Sequence, residues 1–382
     1  MRIFLISRGY PTKREPQWGC FEKDQAEALA KYGHEVVMLS VDTRFRWYWR
    51  KIGITVTNNN GVTSVNNFFL PSKITGLLGR KIRTSFEHWQ LRRVYKKSVK
   101  LSGVPDVLYS HYIQISNMAL TLKRHYNIPL IAIEHWSEMN KDVLSKYAKT
   151  LGKNTYKYAD AVLTVSPSIQ ESLKKHFDVN ANVVFNIVGQ DFHYNPNTCK
   201  ASKFTFISIG SLIVRKRVDL AIEAFAQLNI PKDSWEYIII GGGPEHSNLQ
   251  KLINECNLQG NIYLLGLKTK KEIVDLLQHS HAFILSSQLE TFSVVCIEAL
   301  ACGVPVIATK CGGPEFFIRQ EDGILISVNN LQELANALHH MFLHHQDYDR
   351  KLIAEDCQKR FGAETIAKQL TYVFESVVNK RT

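Results

Sequence analysis

Short runs of β-branched and apolar residues alternate along the chain with stretches whose apolar positions recur at i, i+3 and i+4. In the first half the runs fall at 3–7, 35–40, 107–110, 129–133 and 161–165. In the second half they fall at 204–209, 237–241, 262–265, 282–286, 304–308 and 323–327. Helical patterns lie between them, clearest at 218–228 and 331–342. Strand–helix alternation predicts a parallel sheet covered by helices on both faces. The pattern occurs twice, which predicts an α/β protein of two doubly wound, Rossmann-like domains. The break falls near 190–202, where a polar, proline-containing stretch is weak in both periodicities. The expected organisation is therefore a domain over 1–190, a linker over 191–202, a domain over 203–361, and a terminal helix within 362–382 that packs back on the first domain. Ligands of open α/β sheets bind at the carboxyl ends of the strands, so two such domains are expected to face each other across a cleft.

Composition adds little to this, but charge does. A length of 382 residues suits two domains, and 45% hydrophobic with 21% charged residues is ordinary for a soluble globular protein. No apolar run reaches the roughly 18 residues that cross a bilayer. The N-terminal run is too short for a signal peptide and reads as a first strand, so the expected location is the cytoplasm. Seven scattered cysteines without a C-x-x-C pair argue against a disulfide framework or a zinc site. Net charge is +12, but residues 1–200 hold 29 Lys/Arg against 15 Asp/Glu, and the remainder 18 against 20. The excess thus belongs to the first half, concentrated at 44–51 and 73–100, where aromatic residues mix with cations. That mixture suits peripheral contact with an anionic membrane. A solvated helix face explains it equally well. Nucleic acid is not expected, because no helix-turn-helix, zinc finger or RNP-type motif is present.

The segment 288–306 carries the strongest chemical signal. A strand leads into a loop with Glu290, a short helix opens near Ser293, and Gly303 and Pro305 stop it. Such a helix start presents free N–H groups and a positive dipole end to a diphosphate. Glu298, flanked by Ile297 and Ala299, reads as a buried carboxylate that needs partners, and vicinal ribose hydroxyls are suitable ones. From spacing alone, a structural pairing of Glu298 with an arginine stands equally open. A second signal is Gly210-Ser-Leu-Ile-Val-Arg-Lys-Arg217, a basic loop between a strand and a helix, where cations can neutralise a leaving diphosphate.

Glu290-x7-Glu298 followed by Ala-Leu-Ala-Cys-Gly-Val-Pro-Val resembles the E-x7-E signature of glycosyltransferase family four, retaining enzymes with the GT-B fold. The basic loop is similar to the family's G-R-L-x-x-x-K-G, with Lys216 at the lysine. Two positions depart from the pattern: Ser293 stands where the family has glycine, and Ser211 where it has arginine. The second departure leaves Arg215 or Arg217 as the replacement cation. The resemblance implies that Glu290 contacts the donor sugar, Glu298 the ribose, and Lys216 the leaving diphosphate. It also implies donor contacts from Gly210, Ser211, Arg215, Phe292, Ser293, Val294 and Leu267. In the first domain, Gly19 before a helix that ends in Gly33-His34-Glu35-Val36 resembles the family's glycine loop. His135 matches the family histidine near the donor sugar, and His111 is a candidate on the acceptor side.

The implied activity is retaining transfer of a hexose-type sugar from a nucleotide-diphosphate sugar, with UDP favoured over GDP. The expected acceptor is a glycan or lipid-linked oligosaccharide in bacterial surface polysaccharide synthesis. No D-x-D motif marks a metal-dependent donor site, so no cofactor and no obligatory metal are expected. Two competing readings are a nucleotide-sugar epimerase of the same fold and a non-catalytic nucleotide-sugar-binding protein. A nicotinamide dehydrogenase is disfavoured because 7–19 lacks G-x-G-x-x-G.

Overall fold

The computed structural model describes residues 1–15, 18–44, 51–69 and 80–380, with the backbone alone at 80–83. Most of the basic stretch 44–51, and the 73–79 part of the other, lie outside the described residues. The chain divides into two compact units, Met1–Ile187 with Ala363–Thr382, and Val188–Gly362.

The first unit is built on a sheet in the order β3-β4-β2-β1-β5-β6-β7-β8. Its strands are β1 (Arg2–Ser7), β2 (Glu35–Asp42), β3 (Gly53–Asn59), β4 (Val62–Phe68), β5 (Val107–His111), β6 (Leu130–Glu134), β7 (Ala161–Thr164) and β8 (Asn182–Val183). All neighbours are parallel except β3 and β4. Ile3, Phe4, Leu5 and Ile6 are all fully buried, as expected of a central strand covered on both faces. Helices α1 (Cys20–Lys31), α2 (Arg80–Ser102), α3 (Ile113–Tyr126), α4 (Lys146–Tyr158) and α5 (Pro167–Phe177) connect the strands. Crossovers from β4 through β8 run one way along the sheet and the β1-to-β2 crossover runs the other. The right-handed rule therefore puts α2–α5 on one face and α1 on the opposite face. Ser145 and Ser166 cap α4 and α5 by accepting from Ala148 and Ile169 N–H groups.

The hairpin β3–β4 was not among the expected strands. Its turn is Asn60-Gly61, with φ of 50° and 79°. This is the residue pair that a two-residue hairpin with left-handed turn positions requires. Strand β3 is largely exposed and polar, and β4 buries Ser64, Asn66 and Asn67 among its valines, so neither forms an apolar run.

The second unit contains β9 (Phe204–Ile209), β10 (Trp235–Ile240), β11 (Ile262–Gly266), β12 (Ala282–Leu285), β13 (Val306–Thr309) and β14 (Gly323–Ile326). They form an all-parallel sheet in the order β11-β10-β9-β12-β13-β14. Its helices are α6 (Val218–Ala226), α7 (His246–Glu255), α8 (Lys270–His279), α9 (Val294–Ala301), α10 (Leu331–His344) and α11 (Arg350–Phe361). Phe206, Phe225, Trp235 and Tyr237 form the aromatic centre of its core, with Phe225 stacked on Trp235 at 4.8 Å. Strand order reverses between β9 and β12, which is where an open α/β sheet leaves a ligand crevice.

The polar stretch 191–202 has no regular structure and belongs to the second unit. Phe192 is buried, Gln278 Nε2 donates to the His193 carbonyl at 2.9 Å, and the Arg350 guanidinium lies over Tyr194. These contacts fasten the stretch to the unit it precedes. The last helix, α12 (Ala363–Asn379), belongs to the first unit. There it packs on α1, with Thr371 Oγ1 2.7 Å from His34 Nε2 and Phe374 against Tyr109. Among the described residues no helix is long and apolar enough to cross a membrane.

Candidate active site

In the second unit the site forms at the carboxyl ends of β9 and β12. The chain leaves β9 at Gly210, whose N–H donates to the Ile240 carbonyl at 2.9 Å. A side chain at Gly241 would lie 1.8 Å from the Gly210 carbonyl oxygen, and Gly241 also has φ of 148°. Only glycine fits there, so the β9 and β10 ends pass in backbone contact. The loop then makes a tight turn over Val214–Lys216 and enters α6 through Arg217, a left-handed residue with φ of 49°. This turn directs Lys216 inward, with its aliphatic end about the space a Gly210 side chain would fill.

Lys216 meets Glu290. Its Nζ lies 2.5 Å from Glu290 Oε1, and Ser287 Oγ donates to the same oxygen at 2.8 Å. One backbone bond joins the two loops, Gln288 N–H to the Arg215 carbonyl at 2.8 Å, and another ties Glu290 N–H to the Cys311 carbonyl after β13 at 2.8 Å. Ser286 Oγ donates to the Lys216 carbonyl at 3.0 Å. Residues far apart in sequence are thus fixed as one polar constellation at the sheet's switch point.

The remaining candidates of this unit divide by what they expose. Ser211 is exposed and Arg215 is half-buried with no acidic partner among the described residues. Arg217 is tied to Asp219 at 3.0 Å and to Asn329, which sets it apart from Arg215 in the same loop. Leu267 is exposed and lies over Gly242. Phe292 is 1% exposed and packs on Phe317 and Phe361, which leaves only its backbone for a ligand. Ser293 precedes α9 at φ 76°, ψ 76°, the left-handed conformation that glycine favours. Its hydroxyl contacts Cys296 Sγ at 3.3 Å and makes no cap bond to the helix. Val294 opens the helix, half-buried. Glu298 requires a correction: it is half-buried, not buried. Its chain neighbours Ile297 and Ala299 are buried, as are Ala301 and Cys302 at i+3 and i+4, and it is on the side of Val294 and Val295, at i−4 and i−3, that its face is partly open.

In the first unit the candidates gather at the carboxyl edge of β1, β5 and β6. Gly19 caps α1 at φ 78°, and a side chain there would lie 1.8 Å from the Gly9 carbonyl oxygen. His111 ends β5 and His135 follows β6. Their rings stack at 5.1 Å, with His111 Nδ1 3.1 Å from His135 Nε2. Burial drives the His111 pKa down to about 3, with the Arg8 charge adding to it, and burial and His111 lower His135 well below its usual value. Both rings are therefore neutral, and one of the two facing nitrogens carries the shared hydrogen. His111 Nε2 and His135 Nδ1 are buried without a partner in this structure. Glu134 fixes the turn after β6, accepting from Tyr156 Oη and from the N–H groups of Ile113, His135 and Trp136. Burial nevertheless raises its pKa.

Three residues of this edge were missed. Arg8 grips the fully buried Glu22 with two bonds of 2.6 and 3.0 Å, and its guanidinium lies 4.3 Å from the Tyr112 ring centroid. Tyr112 sits at φ 64°, ψ 139°, a conformation costly for a side-chain-bearing residue, and packs on His135. An arginine directly after the first strand and an acid in the first turn of α1 were the available signals. Among the described residues no cluster of three or more His, Cys, Asp or Glu is arranged to hold a metal.

Comparison with known proteins agrees with this architecture. The Glycosyltransferase Family 4 profile matches residues 23–188, and the Glycosyl transferases group 1 profile matches 189–356. The chain is 25% identical to the putative teichuronic acid biosynthesis glycosyltransferase TuaC of Bacillus subtilis, over 99% of both chains. Its fold is that of sucrose-phosphate synthase from Thermosynechococcus elongatus, with a TM-score of 0.77, 19% identity and full coverage of both chains. It is also that of Anabaena HepE in complex with UDP-glucose, with a TM-score of 0.73, 17% identity, and coverage of 98% and 100%. With both halves matched in order and two parallel-sheet units of the corresponding architecture, the chain belongs to the family-four glycosyltransferases of the GT-B fold.

Proposed function

We propose that this glycosyltransferase is retaining and takes its sugar from a UDP-hexose. The proposed acceptor is a glycan or lipid-linked oligosaccharide in surface polysaccharide synthesis, reached through peripheral contact with an anionic membrane. The observation that carries the reading is the Lys216–Glu290 pair at the switch point of the second sheet. The pair offers a cation for a departing diphosphate beside a carboxylate for sugar hydroxyls. Glu290 already accepts from Lys216 and Ser287 through one oxygen, which suits a positioning carboxylate better than a displacing nucleophile.

In the proposed step the bond from the anomeric carbon to the diphosphate oxygen breaks. The acceptor oxygen bonds to the same face, and its proton passes to the departing diphosphate. Lys216 and Arg215 stabilise the charge that develops on the diphosphate. The backbone N–H groups at the start of α9 lie on the same sheet edge and add to it. Glu298 is assigned the ribose, Leu267 with Gly242 the base side, and His135 the donor sugar, with His111 setting the His135 tautomer. TuaC is named for teichuronic acid biosynthesis, which supports the acceptor class, and HepE was determined with UDP-glucose, which supports the base. A thermal-shift screen of UDP, GDP and ADP sugars tests the donor, because a ligand of the folded state stabilises it by RT ln(1 + [L]/Kd). A UDP sugar is expected to give the largest shift. A GDP or ADP sugar shifting more would overturn the choice of base.

A further inference from the structure

The cations of the first unit are not spread over its surface. They converge on one helical layer from three separate parts of the chain. Helix α3 packs against both α2 and α4 on the same face of the sheet. Along α2, Trp89, Arg92, Arg93, Lys96, Lys97 and Lys100 are exposed, while Gln90, Leu91, Val94, Tyr95 and Ser98 between them are buried. Along α4 the exposed stripe is Lys146, Lys149, Lys153 and Lys157, and α3 ends in Lys123-Arg124-His125. These three helices contain a single acid, Glu87. The opposite layer differs: α1 mixes Glu22, Asp24 and Glu27 with Lys23 and Lys31, and α12 mixes Glu364 and Glu375 with Lys368. The charge is therefore one-sided, which general basicity does not explain.

Apolar and aromatic groups are set among these cations. Trp89 is 50% exposed with the Arg93 guanidinium 4.9 Å from its ring, and Leu101 is exposed at the far end of the same stripe. Tyr158, at the end of α4, is exposed between Arg124 at 4.8 Å and Lys157 at 5.6 Å. Among the described residues, Arg92, Lys96, Lys97, Lys100, Lys146, Lys149 and Lys153 have no acidic partner.

We infer that the outer face of α2, α3 and α4 docks on an anionic phospholipid surface. A layer of exposed cations, most without an acidic partner among the described residues, matches a plane of phosphates, and indole, phenol and leucine tips match the apolar region just beneath it. A nucleic-acid backbone offers the charge without that apolar layer. The inference rests on the membrane contact in the proposed function, and on no part of its donor chemistry.

The test uses the full chain and sedimentation with phosphatidylcholine vesicles, with and without about 30% phosphatidylglycerol. Binding is expected only with phosphatidylglycerol and only at low salt. Each surface cation contributes about fivefold to partitioning. The combined variant Arg92→Gln, Lys96→Gln, Lys149→Gln, Lys153→Gln is therefore expected to lose at least about a hundredfold. Its thermal shift with UDP-glucose should equal that of the wild type, which shows the fold and donor site intact. Trp89→Ala should weaken binding without changing its salt dependence. Undiminished vesicle binding by the fourfold variant overturns the inference. So does tighter binding to a duplex oligonucleotide than to the anionic vesicles. A wild type that ignores anionic vesicles yet shifts with UDP-glucose overturns it and leaves the donor reading standing. Vesicle binding without any nucleotide-sugar shift does the reverse.

Discussion

Lys216 Nζ and Glu290 Oε1 lie 2.5 Å apart, joining the loop after β9 to the loop after β12 across the switch point of one sheet. Each side chain is mostly buried, so each depends on the other for its counter-charge. Lys216→Ala is expected to lower transfer at least about a hundredfold and to cost roughly 2–3 kcal/mol of stability, leaving a folded protein. Glu290→Ala is expected to act similarly. The double variant should cost less stability than the two singles summed, because neither charge is then stranded. Chemical denaturation of the four proteins measures the coupling, and additive costs would show that the pair does not operate as a unit.

Ser293 occupies a backbone conformation that costs an ordinary residue about 1 kcal/mol or more, and its hydroxyl returns no cap bond. Ser293→Gly is expected to stabilise the protein by roughly 0.5–1 kcal/mol. Ser293→Val should destabilise it, because a β-branched residue fits that conformation worst. Urea midpoints of the three proteins decide it. A loss of stability in Ser293→Gly would mean that the Cys296 contact outweighs the backbone strain.

Gly241 is constrained by space as well as by φ. An alanine there meets the Gly210 carbonyl oxygen at 1.8 Å, so the loop that carries Lys216 has to move. Gly241→Ala is expected to cost about 2–4 kcal/mol and to abolish the nucleotide-sugar thermal shift. Gly260→Ala meets nothing within 4 Å and serves as the control, with a change below about 0.5 kcal/mol.

Acid should unfold the first unit through its histidine pair. Burial depresses the folded pKa of His111 to about 3, below the unfolded value of 6.5. Between these values the unfolded chain binds more protons, so stability is present above about pH 6.5 and is lost as pH falls toward 3. The His111 share of that loss at pH 5 is about 2 kcal/mol. Glu134 has a raised pKa and titrates in the opposite sense, so the net loss is smaller than the histidine share. Melting curves at pH 7 and pH 5 should show the loss in the wild type and a smaller one in His111→Phe. Equal losses in both would remove the pair as its source.

Strand–helix alternation made both sheets legible, because parallel strands buried on two faces are short apolar runs that local pattern detects. It missed the two-residue β8, and it missed β3 and β4, where β3 is exposed, β4 buries Ser64, Asn66 and Asn67, and the evidence was the Asn60-Gly61 turn alone. The Glu290 and Lys216 loops were legible as a spaced motif and a basic turn, but their contact spans 74 positions and is set by tertiary packing. The half-burial of Glu298 is not legible from its buried chain neighbours Ile297 and Ala299, because the partly open side is that of Val294 and Val295, one helical turn earlier. Arg8, Glu22 and Tyr112 carried no motif; only the joining of β1, α1 and β5 at one edge brings them together.

The most direct measurement follows UDP-glucose cleavage by the purified protein with proton NMR of the released sugar, beside Lys216→Ala. The account predicts free UDP, α-glucose appearing before mutarotation, and no release above background by a folded Lys216→Ala. First appearance of β-glucose, or undiminished release by Lys216→Ala, would contradict it.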